Sequence, residues 1–280
     1  MRKLSICLSL VVLCAVSVKA DTLKTADIFA VLAGSTVTNA AYPTMITGDL
    51  GVYPGAAVTG FPPGSVSGTI YTAPNAVVGQ AKIDLTSAFT TEGGLGSTGA
   101  YPAGDLTGLT LGPGIYTVGA ATLNLAVDGT LTLTDHGVAN SVFVFQMPKT
   151  LITGTGSKVD VSGLSPSDSL FWVVGSSATL GVNSAFAGNI LALTSISFDP
   201  GATDLCGRAL AENGAVSFAG QDPTSGIQNQ VSIGCVGTPG EGGGGFNGSG
   251  GGTPTPEPGS MLLMATFLMA LGPIVRKKLW

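Results

Sequence analysis

The chain is poor in positive charge, in histidine and in aromatic residues. It has one histidine, 11 lysines and arginines in 280 residues, charged side chains at 10% and aromatic ones at 6%. All 16 acidic residues fall between Asp21 and Glu257, but only Lys24, Lys82, Lys149, Lys158 and Arg208 of the basic ones do, so that stretch carries a net charge of about −11. Such a surface repels phosphate backbones, which excludes nucleic acid as a partner. Four cysteines without paired metal-ligand spacing exclude a zinc module, and nothing implies a cofactor.

What the chain does have begins with an N-terminal export segment at residues 1–20. Arg2 and Lys3 precede an apolar run from Leu4 to Val16, and Val18-Lys19-Ala20 forms a small-residue cleavage site before Asp21. Leu13 breaks the lipoprotein pattern at Cys14. Removal of Cys7 and Cys14 with this segment leaves Cys206 and Cys235, which either form one disulfide in an oxidising compartment or stay free.

At the other end, residues 236–258 are rich in Gly, Thr and Pro and too poor in apolar groups to repay ordering, as expected of a linker. Residues 259–280 contain a short apolar stretch, Met261 to Val275, followed by Arg276, Lys277 and Lys278. Fifteen residues fall short of the roughly 20 that a permanent span needs. With Pro256-Glu257-Pro258 in front, the tail resembles the PEP-CTERM sorting signal. That resemblance implies processing by an exosortase and a secreted or cell-surface location in an exopolysaccharide matrix, after transient anchoring in the membrane. A plain C-terminal anchor is the alternative.

Between these ends, residues 21–235 read as one domain. Gly129-Thr-Leu-Thr-Leu-Thr134, Lys158-Val-Asp-Val161, Ala178-Thr-Leu180, Ser195-Ile-Ser-Phe198 and Ala215-Val-Ser-Phe218 alternate with period two, as short strands with one buried face do. From Val161 to Leu180, Phe198 and Phe218 the steps are 19, 18 and 20 residues, the signature of a solenoid coil. A second set, Val142-Phe-Val-Phe145, Leu170-Phe-Trp-Val-Val174, Asn189-Ile-Leu-Ala-Leu193 and Arg208-Ala-Leu-Ala211, is apolar on both sides and needs cover on both. A helix starting near Asn75 supplies it, with Val78, Ala81, Leu85, Ala88 and Phe89 on one stripe before Gly93-Gly94. The fold expected is an all-β parallel β-helix with one long α-helix packed alongside.

These segments resemble the ice-binding-like proteins. The resemblance rests on Ile46-Thr-Gly-Asp-Leu-Gly51 through Pro54-Gly55, Val58-Thr-Gly-Phe-Pro-Pro63, the helix with Asp84-Leu85, Leu109-Thr-Leu-Gly-Pro-Gly-Ile-Tyr116, Gly129-Thr-Leu-Thr-Leu133, Phe143-Val-Phe-Gln146, Phe171-Trp-Val-Val-Gly-Ser-Ser-Ala-Thr-Leu180, Gly188-Asn-Ile-Leu-Ala192 and Gly207-Arg-Ala-Leu-Ala211. They run in order from about Ala26 to Gln221. The resemblance implies a discontinuous right-handed β-solenoid that adsorbs to ice through one flat face and inhibits ice growth or recrystallisation. An exopolysaccharide-matrix or adhesive protein on the same scaffold is the alternative.

Strand alternation places the candidate ice-contact residues: Thr130, Thr132, Thr134, Thr179, Ser195, Ser197 and Ser217, with Ala215 beside them and with Lys158 and Asp160 interrupting the column. Thr153, Thr155 and Ser157, and Thr47, Thr59, Ser67 and Thr69 in the first coils, are further candidates. An enzyme is not expected. Asp160, Asp199 and Asp204 with Arg208 read as a structural ion pair or turn caps, His136 as an exposed turn residue and Trp172 as core.

Overall fold

The computed structural model describes residues 22–233, except positions 41, 102–103 and 120–121. The export segment, the linker, the sorting tail and Cys235 lie outside the described residues. Cys206 is disulfide-bonded.

Every strand pairing is parallel, and the strands form three sheets that run the length of a solenoid. Among the described residues, nine strands make sheet A, seven sheet B and eight sheet C, and one coil contributes a strand to each in turn. The order in sheet A gives the architecture. From one end it runs Ile70–Thr72, Asp49–Val52, Phe29–Ala33, Arg208–Ala211, Asn189–Ala192, Ser169–Val174, Val142–Met147, Gly114–Thr117 and Gly99–Ala100. The first described strand, Phe29–Ala33, therefore lies inside the stack, and the chain builds outward from it to Thr72. It crosses to the far end and coils back until Arg208–Ala211 meets Phe29–Ala33, with Val31 opposite Ala209 and Leu32 opposite Leu210. Gly99 to Leu111 forms the terminal coil at that far end: Gly99–Ala100 in sheet A, Asp105 bridging to Asn124 beside sheet B, and Thr110–Leu111 in sheet C.

The crossing is made by helix α1, Ala76–Gly93. Its 18 residues rise about 27 Å, against about 38 Å for eight strand spacings; the extended residues on either side span the remainder. Asn75 caps its start, its Oδ1 accepting from the Val77 amide at 2.8 Å, and Gly94 ends it. Val78, Ala81, Leu85 and Ala88 pack on Phe29, Leu32, Phe171, Val173, Leu191 and Leu210 of sheet A. The opposite side of sheet A faces the solenoid interior, where Tyr116, Phe145 and Trp172 stack ring on ring at 5.2 and 4.2 Å and Phe186 meets Trp172 at a tilt with centroids 4.9 Å apart. Both sides of the sheet are thus dry, which accounts for strands that are apolar throughout.

Polar side chains fix the helix and the chain start onto this sheet. Lys82, in the buried face of α1, donates from Nζ to the carbonyls of Ala211 and Glu212 at 2.7 Å each, and burial lowers its pKa to about 8. Arg208 donates from Nε to the Asp27 carbonyl at 2.9 Å, from Nη2 to the Asp27 carboxylate and from Nη1 to Asn189 Oδ1 at 2.8 Å. Its ion-pair partner is therefore Asp27 of the short 3-10 helix Lys24–Ile28, not Asp160, Asp199 or Asp204.

The expected 19-residue period is corrected by the register. In sheet B, Asn124, Ile152, Thr179, Ser197 and Ser217 are successive neighbours, so the coils measure 28, 27, 18 and 20 residues. Val161 belongs to sheet C and Leu180 to sheet B, so the first 19-residue step crossed a corner. Loops such as 135–141 and 164–168 lengthen the early coils without disturbing the ladders, since the added residues lie at corners, with 136–140 exposed and Asp135, Ser141 and Asp168 buried beneath them.

Two outcomes follow for stability. Arg208→Ala leaves Asp27 buried without its cation and should cost about 3–5 kcal/mol in urea unfolding. Asp204 faces the interior of sheet C, in register with Phe186 and Val231, and is fully buried. Desolvation raises its pKa well above the carboxylate range, against the opposing pull of the Cys206 and Gly188 amides and Arg208. A group whose pKa rises on folding stabilises the fold below its unfolded pKa and loses that contribution as pH climbs. Asp204→Asn should accordingly raise the melting temperature at pH 7, with the gain vanishing below about pH 4.

Candidate functional site

Of the three sheets, sheet A is covered by α1, which leaves sheets B and C as open faces. Sheet B runs Thr122–Leu125, Thr150–Thr153, Ala178–Leu180, Ile196–Phe198, Val216–Phe218, Thr36–Asn39 and Ala57–Thr59. Its inward positions are Leu123, Leu151, Leu180, Phe198, Phe218 and Val37, all buried. Its outward column, one residue per coil, is Asn124, Ile152, Thr179, Ser197, Ser217, Thr38 and Thr59.

Two residues earlier in each coil, alternation supplies a parallel column of Thr150, Ser177, Ser195, Ala215, Thr36 and Ala57. None of these side chains is charged. Ile152 is the bulkiest described member, at 43% exposed. Six strand steps give the face a length of about 29 Å, with the columns about 7 Å apart.

Hydrogen bonding along the stack holds this surface still. Ser217 Oγ donates to Ser197 Oγ at 3.1 Å. Ser195 Oγ accepts from the Ala215 amide of the next coil at 3.2 Å, and Ser177 Oγ from the Ser195 amide at 3.4 Å. Glycines at the A–B corner let the coils close up: the Gly34 amide donates to Gly214 O and the Gly55 amide to Gly34 O, both at 3.0 Å. A Cβ at Gly55 would lie 1.8 Å from the Ser35 carbonyl, so no larger residue fits.

Sheet C differs. Thr130, Thr132 and Thr134 do point outward together, but their register neighbours are Lys158, Asp160 and Gly163. Lys158 Nζ and Asp160 Oδ2 form an exposed ion pair at 3.4 Å. The Ser162 amide, more than this lysine, holds the Asp160 carboxyl below its ordinary range. Farther along the same face stand Gln230 and Met45, the latter 42% exposed. Long and charged side chains therefore break its surface.

Comparison with known families decides the relationship: the ice-binding-like family model matches residues 31–222. The chain belongs to the ice-binding-like family. An ice-binding protein of Nostoc sp. is 44% identical to it over 220 residues, 78% of this chain and 76% of the relative. The crystal structure of an ice-binding protein from an Antarctic biological consortium superposes with a TM-score of 0.67 at 39% identity, covering 76% of this chain and 91% of the other. That of the ascomycete Antarctomyces psychrotrophicus gives 0.65 at 32% identity, covering 75% and 97%. The discontinuous β-solenoid with its flanking helix is thus the fold of this ice-binding-like domain.

The residues proposed from sequence divide between the two open faces. Thr179, Ser197, Ser217 and Thr59 share the outward column of sheet B, and Ser195 stands in its second column. Thr130, Thr132 and Thr134 lie on sheet C, as do Thr47 and Ser67 near its end, so the single column expected from alternation is two. Thr153 is buried, its Oγ1 accepting from the Gly181 amide at 2.9 Å, and Ser157 is buried as well. Thr155 is exposed in the turn at the B–C corner. Missed were Thr36 and Thr38, which the closure of the discontinuous stack sets beside Ser217. Thr36-Val-Thr38 does alternate, and that was the available signal.

Elsewhere, His136 sits exposed in a turn with positive φ. Trp172 is core, its Nε1 donating to Ala187 O at 2.9 Å. A cleft of about 350 Å³ beside the C-terminal end of α1 is lined by Phe89, Thr117, Gln146, Met147 and Val173, with no carboxylate, imidazole or thiol. Among the described residues, no three His, Cys, Asp or Glu side chains gather to hold a metal.

Proposed function

We propose that this protein adsorbs to ice through the outward columns of sheet B and so inhibits ice growth or recrystallisation. The observation that carries the reading is the contrast between the two open faces: two uncharged columns on one, Thr, Ser and Ala from Thr179 to Thr59 with Asn124 and Ile152 at one end, and an exposed ion pair with Met45 and Gln230 on the other. A face that holds ordered water against a crystal must itself be ordered. Short side chains on a hydrogen-bonded ladder lose little conformational entropy when water settles between them, whereas a lysine would lose rotamers and displace the water layer. The strand repeat of about 4.8 Å sets a regular spacing over the whole face, near the spacings of the ice lattice. Relatives named as ice-binding proteins, one of them 44% identical, support the same reading.

The export segment and the PEP-CTERM-like tail extend the proposal to location. The protein acts outside the cell, secreted or held in an exopolysaccharide layer after exosortase processing, where ice first meets the cell.

Ice crystals grown in micromolar solutions of the chain from Asp21 onward should be shaped and their recrystallisation slowed. Thr38→Tyr and Thr179→Tyr, both on sheet B, should lower that activity several-fold while changing stability by no more than about 0.5 kcal/mol. Thr132→Tyr, on sheet C, should leave it intact. Loss with Thr132→Tyr and not with the other two would move the contact face to sheet C, and unshaped crystals with the unaltered protein would overturn ice binding.

A further inference from the structure

Asparagine followed by glycine is the pair most prone to deamidate, because a glycine nitrogen, with no Cβ beside it, swings readily onto the side-chain carbonyl carbon. Among the described residues that pair occurs once, as Asn213-Gly214. It lies at the A–B corner, two residues before Ala215 and so no more than about 7 Å along the chain from the second outward column of sheet B. Packing demands the glycine: a Cβ at Gly214 would lie 2.1 Å from Ser195 Oγ and 2.4 Å from the Thr194 carbonyl. Asn213 is exposed, yet both reacting groups are tied to the preceding coil. Its Nδ2 donates to the Leu193 carbonyl at 2.9 Å, and the Gly214 amide donates to the Thr194 carbonyl at 2.8 Å. On the other side, the amides of Gly34 and Ser35 donate to the Gly214 carbonyl at 3.0 and 3.1 Å. The pair therefore sits on the seam where the two arms of the chain meet.

We infer that Asn213 is a deamidation site that the closed stack protects and an opened seam exposes. Opening of the seam leaves the coil at 213–215 at an end, free to part from the coil at 193–195. The Gly214 nitrogen then bonds to Asn213 Cγ, and its proton leaves with Nδ2 as ammonia. Water hydrolyses the resulting succinimide at either carbonyl, which gives aspartate or isoaspartate and calls for no other reactant. Both products oppose re-closure. A carboxylate cannot donate to the Leu193 carbonyl as the amide did, and repels it. Isoaspartate adds a methylene to the backbone, which throws Ser217 out of register with Ser197 on one side and Thr38 on the other. The lesion thus sets a negative charge or a slipped strand in the middle of sheet B, and its consequence for ice adsorption rests on the function proposed above.

The experiment is peptide mapping by mass spectrometry of the protein held at mildly alkaline pH, folded and in urea. In urea Asn213 should convert to aspartate and isoaspartate, and in the folded protein the conversion should be at least about tenfold slower. Lys82→Met removes the donor that holds the carbonyls of Ala211 and Glu212 just before the pair. It should speed conversion several-fold in the folded protein and leave the rate in urea unchanged, and sub-denaturing urea should speed it likewise in the unaltered chain. Equal rates folded and unfolded, an Asn213 that survives in urea, or a folded-state rate indifferent to both treatments would overturn the protected site. Asn213→Asp should lower the melting temperature by about 2–4 °C; an unchanged value would overturn the account of the lesion. After separation by anion exchange, the deamidated fraction should shape ice less than the intact one. Equal activity in the two fractions would overturn the link to sheet B, whereas an intact fraction without ice activity would overturn the proposed function and leave the deamidation site standing.

Discussion

The structure depends on one strand pairing. Phe29–Ala33 lies between Asp49–Val52 and Arg208–Ala211, so the first and last coils of the chain are joined at the middle of the stack rather than exposed at its ends. Parallel pairing across so great a sequence separation carries a large loop-closure cost. Arg208 and Lys82 show how that cost is met. Each is a buried cation that reaches from one arm of the chain to the other, Arg208 to Asp27 and Lys82 to the carbonyls of Ala211 and Glu212, at the point where the arms meet.

The long helix is a consequence of the same arrangement. A chain whose first described strand lies inside the stack and which builds to one end must return to the other before it can coil back, and α1 makes that return along sheet A. In covering sheet A it leaves only two faces open. Those two then part company in composition. Sheet B has uncharged residues in register from Asn124 to Thr59, short ones from Thr179 on, while sheet C carries the Lys158–Asp160 pair and the thioether of Met45. A surface suited to holding water in a fixed array thus arises because stacking repeats one side-chain position every coil, and because the corners, not the strands, absorb differences in coil length.

Much of this was legible in the sequence because alternation and apolar runs are local. The strands Ala178–Leu180, Ile196–Phe198 and Val216–Phe218 read directly as half-buried, the strand Ser169–Val174 as buried on both sides, and α1 from its Asn75 cap to its Gly93-Gly94 end. The period of about 19 residues was correct for the late coils and misleading for the early ones. A corner loop adds residues without altering the ladder, so chain distance there ceases to measure stacking.

What the sequence by itself determined is the strands with clear alternation or continuous apolar runs, which of their faces turns inward, the helix and its caps, and the charge-poor surface, the first three set by periods of two and 3.6 residues within a short window. Which strands lie side by side was decided only by tertiary structure. Thr130, Thr132 and Thr134 and the trio Thr179, Ser197 and Ser217 carry the same local pattern, and nothing within it distinguishes sheet C from sheet B. Thr38 joins Ser217 through a pairing of residues 179 positions apart. A face built from one residue per coil exists only after the coils have stacked, since its spacing is the distance between strands and not any distance along the chain.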